Sequence, residues 1–257
     1  MKWPHLNRQS ECFIVAEIGN NHEGNFDLAV EMIRQAAACG VDAVKFQTFV
    51  PEHYSTTADA RRIEMLGKFV LSHDEFRRLE RCAETENVVF FSTPFDLYSA
   101  DFLNEIQSLF KISSGDNTFE QLIRKVASFQ KPKIVSTGLA DLNIMKRVRE
   151  IIYSEWTQPA SPWLAFLHCV SSYPVPPEQA NLAAIQAMAR EFPDDIIGYS
   201  DHTLGTQASV VAASLGARII EKHFTLDKQQ SEFRDHQLSA DPDEMKSLVN
   251  QSRQVAL

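Results

Sequence analysis

Ile196-Ile197-Gly198-Tyr199-Ser200-Asp201-His202 and Ala217-Arg218-Ile219-Ile220-Glu221-Lys222-His223 are two short apolar runs, each ending in a histidine. Neither alternates cleanly between apolar and polar residues. Near-continuous hydrophobicity of this length is the pattern of parallel strands covered on both faces. Two successive parallel strands place their ends at the same edge of a sheet. His202 and His223 would then lie close enough to share a divalent metal, a Lewis-acid arrangement. A lone histidine at a strand end more often serves as a polar cap, so the rest of the chain has to decide.

Outward from these runs the same unit recurs. Strand-like stretches stand at Phe13–Ile18, Ala43–Phe49, Val88–Ser92, Leu109–Ile112, Ile134–Ser136 and Ala165–Cys169, ahead of Ile196–Ser200 and Ile219–His223. Amphipathic stretches lie between them: Phe26–Cys39, Asp74–Glu86, Phe119–Ser128, Leu142–Tyr153, Leu182–Glu191 and Gln207–Leu215. Ser72-His73-Asp74-Glu75 reads as a capping box, and Asp241-Pro242-Asp243-Glu244 as the start of a last helix. Gly40 and Gly216 fall where helices should stop. Eight strand–helix units predict a (β/α)8 TIM barrel, one domain over residues 1–257. A doubly wound open sheet is the competitor, but no GxGxxG turn follows the first strand.

Composition narrows the class of partner. A formal charge of −9 and the lack of a basic cluster argue against nucleic acid and anionic membranes. No apolar run approaches the ~20 residues that cross a bilayer. Met1-Lys2-Trp3-Pro4-His5 has no apolar leader, and Cys12, Cys39, Cys82 and Cys169 form no CxxC pair. A cytoplasmic protein is the expectation.

In a barrel the chemistry sits at the C-terminal ends of the strands. Glu17, Lys45, Gln47, Thr93, Lys111, Ser114, Asp116, Ser136, His168, Ser171, Tyr173, Ser200 and Glu221 all fall at that rim with the two histidines. Charged residues inside apolar strands are costly unless paired or used. Lys45 and Lys111, ringed by Thr93, Ser114, Ser136 and Ser200, read as a receptor for a phosphate and a carboxylate. Ion pairs with Glu17 or Asp116 are the plainer alternative. Ser113-Ser114-Gly115, ahead of a helix start, would add backbone N–H donors. Glu17, Glu23 and Asp116 suit either proton transfer or neutralisation of the lysines. His22 and His168 suit structural hydrogen bonds. A His168–Cys169 nucleophilic pair is disfavoured, because adjacent strand residues face opposite ways. The stretch Val50–Leu71 is long for a loop between strand and helix and carries His53, Tyr54, Arg61 and Arg62, as binding loops and lids often do.

These motifs, taken together and in order, resemble the sialic acid synthase family with its legionaminic, pseudaminic and spore-coat relatives. The pieces are Ala16-Glu17-Ile18-Gly19-Asn20-Asn21-His22-Glu23-Gly24, Val44-Lys45-Phe46-Gln47-Thr48, Ser92-Thr93-Pro94-Phe95 and Lys111-Ile112-Ser113-Ser114-Gly115. They continue through Ser136-Thr137-Gly138, His168-Cys169, Tyr173-Pro174, Gly198-Tyr199-Ser200-Asp201-His202-Thr203 and Glu221-Lys222-His223-Phe224-Thr225. The resemblance implies condensation of phosphoenolpyruvate with an N-acetylmannosamine-like amino-sugar aldehyde to a nine-carbon α-keto acid, a nonulosonate, with release of phosphate. It implies that Lys45, Thr93, Lys111, Ser114, Ser136 and Ser200 hold phosphoenolpyruvate. Glu17, Asp116, Tyr173 and Asp235 would face the hexosamine, and His202 and His223 would bind Mn²⁺, with Mg²⁺ or Co²⁺ as alternatives.

The sequence departs from the family pattern in places. Asp116 stands where the family has Glu, and Ser171 where it has an Asn that contacts phosphoenolpyruvate. The segment Thr225–Ala240 keeps Asp235-His236 but lacks a proline-glycine lead-in. The sequence stops after the eighth helix, whereas family members add an antifreeze-like domain that donates an arginine to the partner subunit's sugar site. Arg234, or an arginine of the long second loop, is expected to replace it, with a homo-oligomer or an accessory protein as other sources. Two rival readings remain: a Schiff-base aldolase using Lys45 or Lys111, and a weakly catalytic barrel that binds phosphoenolpyruvate or sugar.

Overall fold

A computed structural model describes residues 12–56, 58–157 and 163–256 of the chain. The stretch Met1–His5, on which the expectation about a leader rests, lies outside the described residues. The elements follow the order β1 (Phe13–Gly19), α1 (Phe26–Ala38), β2 (Ala43–Thr48), α2 (Pro51–Tyr54), α3 (Ala60–Gly67), α4 (His73–Thr85), β3 (Val89–Pro94), α5 (Leu97–Ile106) and β4 (Phe110–Ile112). Then come α6 (Glu120–Ser128), β5 (Lys133–Ser136), α7 (Leu142–Glu155), β6 (Leu164–Cys169), α8 (Ala184–Glu191), β7 (Ile196–Asp201), α9 (Gln207–Ser214), β8 (Ile219–His223), α10 (Asp235–Leu238) and α11 (Pro242–Val255). Among the described residues no helix is long and apolar enough to cross a membrane.

All strand pairs are parallel, and the hydrogen-bonded order runs β3-β2-β1-β8-β7-β6-β5-β4. The eight strands curl into a nearly closed TIM barrel, as the sequence predicted. Among the described residues no ladder joins β3 to β4. A side chain covers the seam instead. Gln107, just before β4, accepts from the Ser92 amide (2.8 Å) and donates to the Ser92 carbonyl (3.2 Å). Its carboxamide thus takes the place of a neighbouring strand at the centre of β3.

Strand alternation sorts the interior into levels. Phe13, Val15, Ala43, Val89, Phe91, Leu109, Ile134, Ala165, Leu167, Ile196 and Ile219 form one apolar cluster that fills the lower barrel. The next inward positions on the same strands include Glu17, Lys45, Thr93, Lys111, Ser136, Cys169, Ser200, Glu221 and His223. A polar floor therefore rests on an apolar plug. The outward positions, among them Ile14, Val44, Phe90, Phe110 and Phe166, pack under the helices in a second and larger cluster.

The expected helix signals hold. Ser72 and Glu75 make both bonds of a capping box at α4, as do Asp241 and Glu244 at α11 with Pro242 in the first turn. Gly40 and Gly216 follow α1 and α9 at φ of +87° and +98°, where a side chain would be strained. Two expectations need revising. The long second loop contains two short helices, α2 and α3. After β4 the chain makes a single 3-10 turn, Ser114–Asp116, and α6 begins only at Glu120. The amide-rich helix start expected at Ser113-Ser114-Gly115 is therefore not the end of α6.

Candidate active site

The polar floor opens into a cavity of about 680 Å³ at the C-terminal end of the barrel. Every residue to which the family resemblance gave a role lines it except Asp116, and so do Ser171 and Arg234. Asp116 turns aside because the 3-10 turn folds its carboxylate back to accept from Ser113 Oγ at 2.5 Å. It stands beside the wall and does not form it. Glu23 also lies outside the floor, paired with His236 Nε2 at 3.0 Å.

Two ammonium groups dominate the floor. Lys45 Nζ lies 2.8 Å from Glu17 Oε2 and 3.7 Å from Glu221 Oε1, while Lys111 Nζ lies 3.5 Å from the same Glu221 oxygen. All four groups are buried. Removing such ions from water costs several kcal/mol each, and only close pairing repays it. The counter-ion for Lys111 is Glu221, not the Asp116 the sequence suggested.

The two carboxylates are not equivalent. Burial raises the pKa of Glu17 from its ordinary value, with Glu221 adding to the rise against the pull of Lys45. Burial works on Glu221 too, but Lys111, Lys45 and a hydrogen bond from Ser200 Oγ (3.0 Å) outweigh it and hold Glu221 low. Glu221 is thus the fixed anion, and Glu17 is the group poised to take a proton. Gln47 Nε2 donates to Glu17 Oε1 at 3.2 Å, and Gln47 Oε1 accepts from Asn20 Nδ2 at 2.8 Å, which orients the carboxylate.

Hydroxyls ring the lysines. Thr93 Oγ1 accepts from Lys45 Nζ at 3.2 Å, and Ser136 Oγ is buried without a partner among the described residues. Ser114 Oγ accepts from the Gly138 amide at 3.0 Å. A Cβ at Gly138 would fall 2.4 Å from Ser171 Oγ and 2.8 Å from Ser114 Oγ. Only glycine allows these three loops to converge.

On the opposite wall the rings of His202 and His223 stand 5.5 Å apart by centroid. Tyr173 stacks 4.1 Å from His202, and the Arg234 guanidinium lies 4.9 Å over the Tyr173 ring while pairing with Asp235 at 3.3 Å. From α3 and the turn behind it, Met65, Leu66 and Phe69 close the upper side.

A model of the NeuB family matches residues 32–257. The chain belongs to the NeuB family. The N,N'-diacetyllegionaminic acid synthase of Campylobacter jejuni is 40% identical over 259 residues, covering 95% of this chain and 76% of that protein. Human N-acetylneuraminate-9-phosphate synthase is 37% identical over 260 residues, covering 96% and 71%. The crystal structure of N-acetylneuraminic acid synthetase from Leptospira borgpetersenii, solved with citrate, superposes with a TM-score of 0.92 at 32% identity, covering 100% of this chain and 88% of that one.

Membership in the NeuB family raises the question of the metal, and the residues present suit one. His202 Nδ1 donates to the Val170 carbonyl at 2.9 Å, so Nε2 is the atom that would ligate; against burial, Cys169 and that bond raise the ring's pKa, so taking up an ion there would release a proton. His223 Nδ1 is buried without a partner among the described residues. Burial, with the neighbouring His202, Lys45, Lys222 and Lys111 charges, holds the His223 pKa well below its ordinary value, in the neutral form that ligates. Among the described residues no three His, Cys, Asp or Glu side chains converge. The chain therefore offers two imidazoles, and the remaining positions would fall to water and substrate oxygen, as hard octahedral ions accept.

Two floor residues were given no role by the sequence reading. Glu221 was placed at the rim, two positions before His223 on the same strand face, but not as the lysines' partner. Cys169 faces His202 Nδ1 at 3.7 Å, while His168 points outward and donates to the Ala180 carbonyl at 2.8 Å. Strand alternation correctly separated His168 from Cys169, and the same rule could have assigned the thiol to the cavity.

Proposed function

We propose that this protein condenses phosphoenolpyruvate with an amino-sugar aldehyde related to N-acetylmannosamine, forming a nonulosonate and releasing phosphate. The observation that carries this reading is the pair of buried ammonium groups, Lys45 and Lys111, on one shared carboxylate in a floor of hydroxyls. Such a floor fits a small, densely anionic molecule and gives nothing to a neutral one. The names of the relatives, synthases of legionaminic acid and of N-acetylneuraminate 9-phosphate, support the same class of reaction.

Lys45 and Lys111 would hold the phosphate and carboxylate of phosphoenolpyruvate, with Thr93, Ser114, Ser136, Ser171 and Ser200 supplying directional bonds. His202 and His223 would hold a divalent ion, Mn²⁺ above Mg²⁺ or Co²⁺, which when bound supplies Lewis-acid polarisation of the aldehyde oxygen. Tyr173, Asp235 and Arg234 line the wall where the sugar would lie. Glu17 would take a proton from the water that adds at the former enol carbon after the new carbon–carbon bond forms. The lysines then balance the charge of the departing phosphate. Met65, Leu66 and Phe69 exclude bulk water, and alignment of both reactants lowers a barrier that is largely entropic.

The test is phosphate release from phosphoenolpyruvate with Mn²⁺ and a panel of hexosamine aldehydes, with and without chelator. Release should require an aldehyde, stop with chelator and fall about 10²–10³-fold in Lys111→Met, as loss of one electrostatic donor does. Tight binding of phosphoenolpyruvate without release from any aldehyde would favour the binding-barrel reading instead. A Schiff-base aldolase has one observation in its favour: burial lowers the pKa of Lys111, with Lys45 adding to it against Glu221. Borohydride trapping with substrate separates that reading from the condensation.

A further inference from the structure

Behind the cavity, on the helix side of β7 and β8, lies an ion pair that the reaction does not touch. Asp201 and Lys222 are partners in the last ladder position between these strands, and neither side chain is exposed. His202 and His223 each follow by one residue. The imidazoles therefore hang just past the point where the β7–β8 main-chain ladder stops.

The pair is densely bonded. Lys222 Nζ lies 3.3 Å from Asp201 Oδ2 and donates to the Thr203 carbonyl at 2.5 Å. Asp201 Oδ1 accepts from the Thr203 amide and the Thr203 hydroxyl, both at 2.8 Å, and from Tyr199 OH at 3.3 Å. Its Oδ2 accepts from Ser209 Oγ of α9 at 2.7 Å. The residues on either side of His202 are thus tied to the residue before His223 and to α9. His223 has its own anchors, since the Phe224 amide donates to the Glu17 carbonyl and the Ala240 amide to the His223 carbonyl.

We propose that the Asp201–Lys222 pair is a positioning device that sets the separation of His202 and His223, and so the affinity of the two-imidazole site for its ion. The inference rests on the metal reading given under the proposed function. An ion pair removed from water gives little net stability against an apolar substitute, but it fixes one geometry. Partners outside a ligand shell typically govern affinity by about 10–100-fold.

The experiment titrates chelator-stripped protein with Mn²⁺ and reads the free ion by electron paramagnetic resonance. Melting temperature, and phosphoenolpyruvate affinity in chelator, are measured alongside. The double variant Asp201→Asn/Lys222→Met removes both charges and leaves neither unpaired. It leaves the Thr203 carbonyl without its donor, a cost of about 1–3 kcal/mol, but should stay folded and keep its phosphoenolpyruvate affinity, yet bind Mn²⁺ about 10–100-fold more weakly. Ser209→Ala, which loosens the carboxylate and keeps both charges, should lose about 10-fold and serves if the double variant does not fold. Unchanged Mn²⁺ affinity in either folded variant overturns the positioning role alone. Wild type that binds no Mn²⁺ saturably overturns the metal reading and this inference with it.

Discussion

Lys133 opens β5 at the end of the barrel away from the cavity, fully buried on the helix side. Its Nζ lies 5.8 Å from the ring centres of both Phe110 and Trp156 and donates to the Lys131 carbonyl. Burial, with the Lys131 charge adding, lowers its pKa to about 7. The sign of the linkage follows. Below about pH 7 the folded protein carries the buried charge at full cost. As pH rises towards the ordinary lysine value the unfolded chain keeps a proton that the folded chain has shed, so stability rises with pH. Lys133→Met should therefore stabilise at pH 6 by an amount on the order of a few kcal/mol, and by much less at pH 10. Thermal melts across that range check it, and a gain that does not shrink with pH would contradict the account. In the sequence Lys45 and Lys111 stand inside apolar runs, whereas Lys133 follows Lys131-Pro132 and only borders one, so its burial was not legible. Position along the strand separates them, because Lys45 and Lys111 stand above the apolar plug and Lys133 below it. Asp116 was misplaced for a related reason. Its type and its neighbours were legible, but the direction of a side chain in a one-turn 3-10 helix was not.

At the scale of the element, α2 and α3 are the part of the site that the sequence showed least. Their charged residues read as solvated loop, and the apolar ones that face inward are too few for a clear period. Tertiary contacts hold them: Tyr54 packs 5.4 Å from Phe49 and 4.8 Å from Phe95, and Phe69 lies 5.0 Å from Phe233. The turn leaving β1 meets the end of this segment at Gly24, which has φ of +75° and where a Cβ would fall 2.1 Å from the Lys68 carbonyl oxygen. Gly24→Ala should push the segment off the cavity. A strain of about 1–3 kcal/mol raises the open fraction by about 5- to 100-fold, seen as faster tryptic cleavage after Arg61, Arg62 and Lys68. Equal cleavage rates would show that the contact yields without displacing the lid. The strands, by contrast, were legible almost to the residue, because their burial is two-sided, and so were most of the main helices, though α5 was not among the stretches read as helical.

Across the whole molecule, the eightfold repeat of strand and helix was plain in the sequence, but the way the barrel closes was not. Closure depends on Gln107 meeting Ser92 across the β3–β4 seam, a pairing that no local pattern announces. Gln107→Leu keeps the volume and strands a buried amide and a buried carbonyl, costing about 1–3 kcal/mol for each group. The urea midpoint should fall with little change in slope, and the Ser92 amide should exchange faster with solvent. An unchanged midpoint would mean that another group has taken over both bonds. The seam has a topological consequence as well. The strands that flank it are the two borders of a continuous ribbon, and both borders lie in the interior of the chain. β1 and β8 are bonded to each other in the middle of that ribbon. A permuted gene that opens at α5 and joins β8 to β1 through a linker would begin and end at those borders, so a rearranged chain could retrace the same barrel without severing one main-chain ladder.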